Sequence, residues 1–316
     1  MSWEGSTPIT TPFCKALVSN LYPSSASRAH TLTVWTTMAP ASPEPESIHG
    51  SWWRRALTLM AVKLCERWRP RCGTVLFLSS SLCVKYGYFQ HLSEAATMQF
   101  IANHTSIPVP KVYCAFSRKG RTFIVMERIN GDYIGNAWFR RSKESREVIL
   151  QQIKGLIAEM RSIAPPADAS VASVTGGTLY DIRLPDTPGG RARFGPFKTI
   201  LDFHRYLRRD IGAHPDQRAE INELIKMHEE TWPVCFTHAD LSSLNILARG
   251  NEVVGIVDWA TAGWYPSYWE YTTASNVNPQ NEFWRDEVDK FLEPKPRELA
   301  MDMVRLKYFG DITWAW

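Results

Sequence analysis

Apolar positions follow two rhythms along this chain, and the switch between them maps its elements. Two short apolar runs, Thr74–Leu78 and Leu82–Tyr86, flank Ser79-Ser80-Ser81, which predicts paired strands joined by a turn. From Ser93 the spacing lengthens, and Ala95, Met98, Phe100 and Ile101 suit a helix that begins after that serine. The continuous run Thr122–Ile129, closed by Asn130-Gly131, predicts a buried strand. Ser142 opens a long helical pattern whose Ile149, Ile153, Leu156, Ile157 and Met160 share one face and so predict core. Helices are expected near residues 198–211 and 217–229, before Trp232-Pro233 leads into another strand. Ile246-Leu247-Ala248, a Gly250-Asn251 turn and the run Val253–Val257 predict a β-hairpin that delivers Asp258 at its exit.

Three stretches follow neither rhythm cleanly. Residues 21–48 are rich in Ser, Thr, Pro and Ala, a composition that buries little and predicts a disordered or loosely held segment. In residues 51–71, Trp52, Trp53, Leu57, Met60, Ala61, Leu64 and Trp68 fall near helical spacing with Arg54, Arg55, Lys63 and Arg67 interleaved. We read a helix packed on the following strands in preference to a basic amphipathic helix lying on a membrane. Residues 165–196 are dense in Gly, Pro, Ser and Asp, a connector too long to be a simple turn.

Composition narrows the class. With 316 residues, 44% hydrophobic and 22% charged, the chain can bury a substantial core as one large domain or two lobes. The net charge of +4 is concentrated early: residues 1–72 hold eight Lys/Arg against four Asp/Glu, and the remainder holds 28 of each sign. A near-neutral body argues against a broad nucleic-acid footprint. The six cysteines show no paired spacing, so neither a zinc site nor a disulfide framework is indicated, and they read as reduced thiols. The apolar run Ala56–Val62, interrupted by Lys63, is far short of the roughly 20 residues of a membrane span. Lys15 and Arg28 are too few to mark residues 1–35 as a mitochondrial presequence, and a cytoplasmic location is expected. The oligomeric state is left open.

The chemistry concentrates between Thr237 and Trp259. Asp240 and Asn245 are separated by four residues, the spacing of a loop in which an aspartate takes a hydroxyl proton and an asparagine holds magnesium. Asp258, at the far end of the hairpin, is the natural second metal ligand. Phosphoryl transfer asks little covalent chemistry of a protein and much positioning and charge neutralisation, and Mg²⁺ prefers the oxygen donors that these three residues supply.

On these residues the chain resembles the fungal branch of the aminoglycoside phosphotransferase family, small-molecule relatives of protein kinases. The resemblance runs from about Leu82 to the C-terminus. It is carried by Ser93-Glu94-Ala95-Ala96-Thr97-Met98, Ile107-Pro108-Val109-Pro110-Lys111-Val112, Ile124-Val125-Met126-Glu127-Arg128-Ile129, Phe236–Leu247 and Ile256-Val257-Asp258-Trp259-Ala260-Thr261-Ala262-Gly263-Trp264. It implies an α+β, bilobal protein-kinase-like fold: an N-terminal extension over residues 1–72, a small β-rich lobe over 73–129 and a larger helical lobe over 130–316. It implies ATP and Mg²⁺ as cofactors and a small-molecule hydroxyl as acceptor, with no integral membrane segment. Lys85 becomes the lysine on the α- and β-phosphates, Glu94 its partner, and the backbone of Glu127 and Ile129 the adenine contact. Asp240 becomes the base, His238 the residue that braces its loop or shuttles its proton, and Asn245 and Asp258 the metal ligands.

One departure is from the family pattern, and the other is from the protein-kinase pattern, whose glycine-rich loop the resembled family commonly lacks too. The family writes His-Gly-Asp where this chain has His238-Ala239-Asp240, and arginine at the middle position in protein kinases argues that no glycine-only backbone angle is needed there. No G-x-G-x-x-G loop is present, and only Gly73 and the Ser79-Ser80-Ser81 turn stand near its place. Glu270 is expected to pair with a buried arginine. The aromatic run Trp264, Tyr265, Tyr268, Trp269 and Tyr271 is expected to pack the large lobe rather than line a cleft. Glu282, Asp286, Glu287, Asp289 and Glu293 group on a helix as a solvated face or as an acidic wall for a cationic acceptor. Two rival functions are a nucleotide-binding pseudokinase or scaffold without turnover, and a metal-dependent hydrolase using His238, Asp240 and Asp258. Against the hydrolase, His91, His104, His204, His214 and His228 form no cluster in sequence.

Overall fold

Side chains along Leu82–Gly87 alternate between two different cores, and that alternation builds the small lobe. Cys83 points to the same core as Met126, Ile124 and Met98, whereas Val84 and Tyr86 join Val125, Phe123 and Phe116 on the opposite face. The computed structural model describes residues 45–167, 171–184, 193–276 and 282–310. Most of the Ser/Thr/Pro/Ala-rich stretch, the presequence reading, Cys14 and part of the 165–196 connector lie outside the described residues.

The small lobe is an antiparallel sheet of β1 (Arg71–Cys72), β2 (Val75–Phe77), β3 (Leu82–Gly87), β4 (Val112–Arg118) and β5 (Arg121–Glu127), in the order β1-β2-β3-β5-β4. Helix α1 (Trp52–Cys65) lies on the face of Val84 and Tyr86 through Val62. Helix α2 (Leu92–His104) lies on the other face with Ala95, Met98 and Ile101 fully buried. The cap of α2 is His91, whose Nδ1 accepts the Ser93 N–H at 3.2 Å, so Ser93 sits inside the first turn and not before it. The described residues 45–72 pack with this lobe: Ile48 bridges Ala115, and β1 is the edge strand.

After β6 (Asp132–Tyr133), α3 (Lys143–Arg161) begins at Ser142, whose hydroxyl accepts the Ser145 N–H, and buries the expected stripe of Ile149, Ile153, Ile157 and Met160. Helices α4 (Ile200–Leu207) and α5 (Ala219–His228) are shorter than their sequence windows. Strand β7 (Val234–Thr237) pairs with β10 (Gly263–Pro266), and the hairpin β8 (Ile246–Arg249) and β9 (Glu252–Ile256) pairs with β6. Helices α6 (Trp269–Asn276), α7 (Glu282–Phe291) and α8 (Pro296–Phe309) close the lobe.

The described parts of the connector are tied into the lobe by backbone bridges. Val171 bridges Phe197, Leu179 bridges Phe194, and Ala172 bridges Trp264. Arg183, fully buried, pairs with Asp181 at 2.9 Å and Asp302 at 2.8 Å, its guanidinium 4.5 Å above the Trp269 ring. A buried charge is tolerated only when paired and hydrogen-bonded, and this one is both. The aromatic run packs as expected, with Trp264, Tyr265, Tyr268, Trp269 and Tyr271 all buried. The acidic helix is no uniform face: buried Glu287 accepts the Trp138 indole N–H at 3.0 Å, and Asp289 accepts the Tyr271 hydroxyl at 2.7 Å.

Candidate active site

Lys85 is where the two lobes meet. Its ammonium donates to Glu94 Oε1 at 2.7 Å within the small lobe and to Asp258 Oδ1 at 2.8 Å across the cleft. Strand β3 fixes its Cα opposite Ile124 and Val75, while the first turn of α2 holds Glu94 beneath it. Burial by itself would lower the Lys85 pKa, but the charges of Asp258 and Glu94 outweigh it and hold the ammonium above the usual lysine range. Burial also raises the Glu94 carboxyl, and Lys85 opposes that rise.

The loop carrying Asp240 is held from beneath by side chains. Glu270, at the start of α6, accepts the His238 N–H at 2.7 Å through Oε2 and the Ala239 N–H at 3.1 Å through Oε1. This corrects the expected ion pair with an arginine. Both oxygens serve the loop, and Arg161 acts on Glu270 through its charge while donating to the Ser267 carbonyl. The fixed pair of amides explains a second correction. Ala239 has φ +62°, in the left-handed region that favours glycine, so the position does require that angle and an alanine adopts it here. Arginine at the equivalent place in other kinase loops was therefore no guide to the backbone of this one.

His238 is buried with both ring nitrogens on main chain. Nε2 donates to the Val257 carbonyl at 3.1 Å, and Nδ1 accepts the Asp240 N–H at 3.2 Å. Burial pushes its pKa down to about 4, so the ring is neutral near pH 7. Thr261 donates its hydroxyl to the His238 carbonyl at 2.8 Å, a contact that no sequence signal announced. The Asp240 carboxyl is raised well above the usual range, first by burial and then by the charge of Asp258, with an Asn245 hydrogen bond opposing the rise. Asn245 also donates Nδ2 to the Asp240 carbonyl at 2.7 Å, and Val257 N–H returns to the Asn245 carbonyl at 2.9 Å. Asp258 leaves the hairpin with φ +63°, a conformation that Asp adopts more readily than most residues.

Asn245 and Asp258 suit a hard cation. The Asn245 amide nitrogen is committed to Asp240, which leaves oxygen as its ligating atom, and Asp258 adds carboxylate oxygen. Burial first and the charge of Asp258 second raise the Asp240 carboxyl, so the two aspartates lie close enough to feel one another. Among the described residues no group of three or more His, Cys, Asp and Glu is arranged to hold a metal. His204 and His228 do stack at 4.3 Å, but His204 bonds the His228 carbonyl and the Tyr268 hydroxyl as a core residue.

The structure separates the two features expected near the phosphates. Ser79-Ser80-Ser81 lies at the hinge, where the Ser81 carbonyl accepts the Arg128 N–H at 3.0 Å and the Ser79 carbonyl accepts the Arg128 guanidinium at 3.2 Å. The two-residue turn Gly73-Thr74, with Gly73 at φ +55°, is the one beside Lys85: Val75 pairs with Lys85, and Tyr86 N–H reaches the Thr74 carbonyl at 3.1 Å. A cavity of about 420 Å³ opens at the hinge between Ser80, Ser81, Pro108, Val109, Arg249, Val254 and the segment 127–130, and neither Lys85 nor Asp240 lines it. Glu127 and Ile129 both line that cavity. Since the Glu127 N–H is spent on the Lys111 carbonyl at 2.9 Å, only the Glu127 carbonyl remains for a hinge contact. Leu82 pairs with Glu127 and Lys85 stands three residues farther along β3, which puts about 10 Å between the Leu82 and Lys85 Cα atoms.

Comparison with known proteins bears on what this arrangement is. The family model described as "Phosphotransferase enzyme family" matches residues 90–301. No curated protein matched the sequence. Among solved structures, aminoglycoside phosphotransferase APH(4)-Ia aligns with a TM-score of 0.53 at 14% identity, covering 81% of this chain and 89% of that one. The apo form of a thermostable mutant of that enzyme gives 0.52 at 11% identity, covering 74% and 79%. A ternary complex with ADP and hygromycin B gives 0.51 at 13% identity over the same shares. At such identities the likeness is one of fold, and the fold is the bilobal, protein-kinase-like α+β architecture. A family model that spans well over half of the sequence, and includes Glu94, Asp240, Asn245 and Asp258, carries the assignment further: the chain belongs to the phosphotransferase enzyme family and is a kinase-type phosphotransferase with an alcohol group as acceptor.

Proposed function

We propose that the protein transfers the γ-phosphoryl group of ATP to a hydroxyl of a small molecule, in the cytoplasm, with one domain made of a small lobe near residues 73–129 and a large lobe beyond. The observation that carries this reading is the bridge of Lys85 to both Glu94 and Asp258, at 2.7 and 2.8 Å, beside the loop of Asp240 and Asn245. A strand-borne ammonium fixed by a carboxylate suits the α- and β-phosphates, and the backbone of Lys85 stands about 10 Å along β3 from the residue paired with Glu127, which leaves room for the nucleoside. Solved relatives of the fold hold ADP with hygromycin B, which supports nucleotide use.

In this proposal Asp240 accepts the proton of the acceptor hydroxyl while that oxygen bonds to the γ-phosphorus and the bond to the β-phosphate oxygen breaks, releasing ADP. Its raised pKa favours proton uptake. Asn245 and Asp258 would hold Mg²⁺, which when bound supplies positive charge to the phosphates. His238, neutral and bonded at both nitrogens, positions the loop instead of carrying the proton. Glu127 through its carbonyl and Ile129 through its main chain would hold the base.

The test is ATP consumption with Mg²⁺ across a panel of hydroxylated metabolites, comparing the protein with Asp240→Asn. Expected is turnover with at least one acceptor that falls about 10²- to 10⁴-fold in the variant while nucleotide affinity is retained. Nucleotide binding without turnover sensitive to Asp240 would favour the pseudokinase reading.

A further inference from the structure

Helix α1 carries two apolar stripes, and among the described residues one of them is packed against the sheet. Val62 is buried, with Leu59 and Cys65 half-buried, against the outer face of the small-lobe sheet. Trp53, Leu57, Met60 and Leu64 recur at i, i+4, i+7 and i+11, the spacing of a second helical face. That face meets solvent, Leu57 at 53% and Leu64 at 66% exposure, and it is extended by Trp52 at 81% and Trp68 at 85%. Large apolar side chains grouped this way on a surface mark a binding face.

The charge around the stripe has one sign. By helical position Lys63 borders one side and Arg54 the other, the Arg54 guanidinium also reaching the Tyr113 carbonyl at 3.3 Å, and Arg67 and Arg69 follow just past the helix end. No Asp or Glu lies within α1, and the nearest, Glu66, is on the sheet side, where its Oε2 accepts the Tyr86 hydroxyl at 3.5 Å. We propose that this face seats the protein on an anionic lipid bilayer, with Trp52, Leu57, Leu64 and Trp68 at the headgroup boundary and the cationic rim on the phosphates.

Three observations favour lipid over other occupants. A helix laid on a sheet presents a convex ridge, which a bilayer can accept without a matching groove. A second copy would bring Lys63 and Arg67 against their own kind, and like charges at an interface are costly. Residues 1–44 contain two acids and two bases, so they offer no complementary charge. The placement also suits an enzyme: α1 covers the sheet face opposite Lys85, so docking leaves the cleft open to solution. The inference stands apart from the phosphotransfer reading, because none of its residues belongs to the site.

The experiment is co-sedimentation of the full chain with vesicles of phosphatidylcholine alone or mixed with phosphatidylserine, with tryptophan emission followed in parallel. Expected are binding to the anionic vesicles only, a blue shift of the emission, and loss of binding as salt rises. Lys63→Ala and Arg67→Ala should each weaken binding about fivefold, and Leu57→Ser with Leu64→Ser should abolish the blue shift. Should the apolar variant fail to fold, the charge variants and the salt series decide alone. Failure to sediment with either vesicle overturns the proposal. So does a dimer in sedimentation velocity that Leu57→Ser with Leu64→Ser dissolves, since it would assign the face to a second copy.

Discussion

Ala239 is the residue at which local rule and tertiary demand collide most directly. A left-handed alanine costs roughly 1–2 kcal/mol against glycine, yet Ala→Gly at a buried site forfeits about 0.8 kcal/mol of methyl burial and about 0.4–1 kcal/mol through the unfolded chain. These terms cancel at Ala239, which is 1% exposed with φ +62°. Ala239→Gly should therefore leave urea stability within about 0.5 kcal/mol of the parent, where an ordinary buried alanine would lose well over 1 kcal/mol. A loss of that larger size would mean the loop is not held in this angle. The buried histidines give a residue-scale pH dependence. Burial lowers His204 to about 4, so the folded state refuses a proton that the unfolded chain takes up near 6.5. Stability is gained above about 6.5 and lost as pH falls toward 4, by on the order of 2 kcal/mol at pH 5 for this group. Unfolding curves at pH 7 and pH 5 should converge in His204→Asn relative to the parent.

At the scale of elements, the site is held by contacts between segments distant in sequence. The start of α6 reaches back 31 and 32 residues so that Glu270 grips the amides of Ala239 and His238. Removing that carboxylate leaves two buried N–H groups unpaired, each costing about 1–3 kcal/mol. Glu270→Ala is thus expected to destabilise by about 2–4 kcal/mol in denaturant titration and to depress kcat more than KM for ATP. Unchanged stability would show that the loop keeps its shape without the clamp. Strand alternation is the other element-level device: the same β3 gives Lys85 to the cleft while Val84 and Tyr86 receive α1, so that helix backs the strand that carries Lys85.

For the whole molecule, the pairing of Lys85 with Asp258 ties the small lobe to the large one. A ligand that binds only the folded state stabilises it by about 2.7 kcal/mol at one hundred times its dissociation constant. ATP with Mg²⁺ should raise the melting temperature of the parent, and Lys85→Met should remove most of that rise while barely changing the thermal response to adenosine alone. An equal shift in both proteins would separate Lys85 from the nucleotide. The lobes also meet at Ile256 N–H, which donates to the Pro108 carbonyl at 2.8 Å, so the hairpin that leads to Asp258 is tied to the segment before β4.

Much of this was legible without coordinates, because local patterns carry it. The stripe from Ile149 to Met160, the turn at Gly250-Asn251 and the spacing of Asp240, Asn245 and Asp258 each depend on residues a few positions apart, and the hairpin then fixes what lies at its two ends. The tertiary structure alone decided the partner of Glu270, the angle at Ala239, the hinge position of the serine turn and the order within the connector. Those four depend on where a backbone amide or a buried charge finds its complement. That choice is made across tens or hundreds of residues by packing, and no period in the sequence records it.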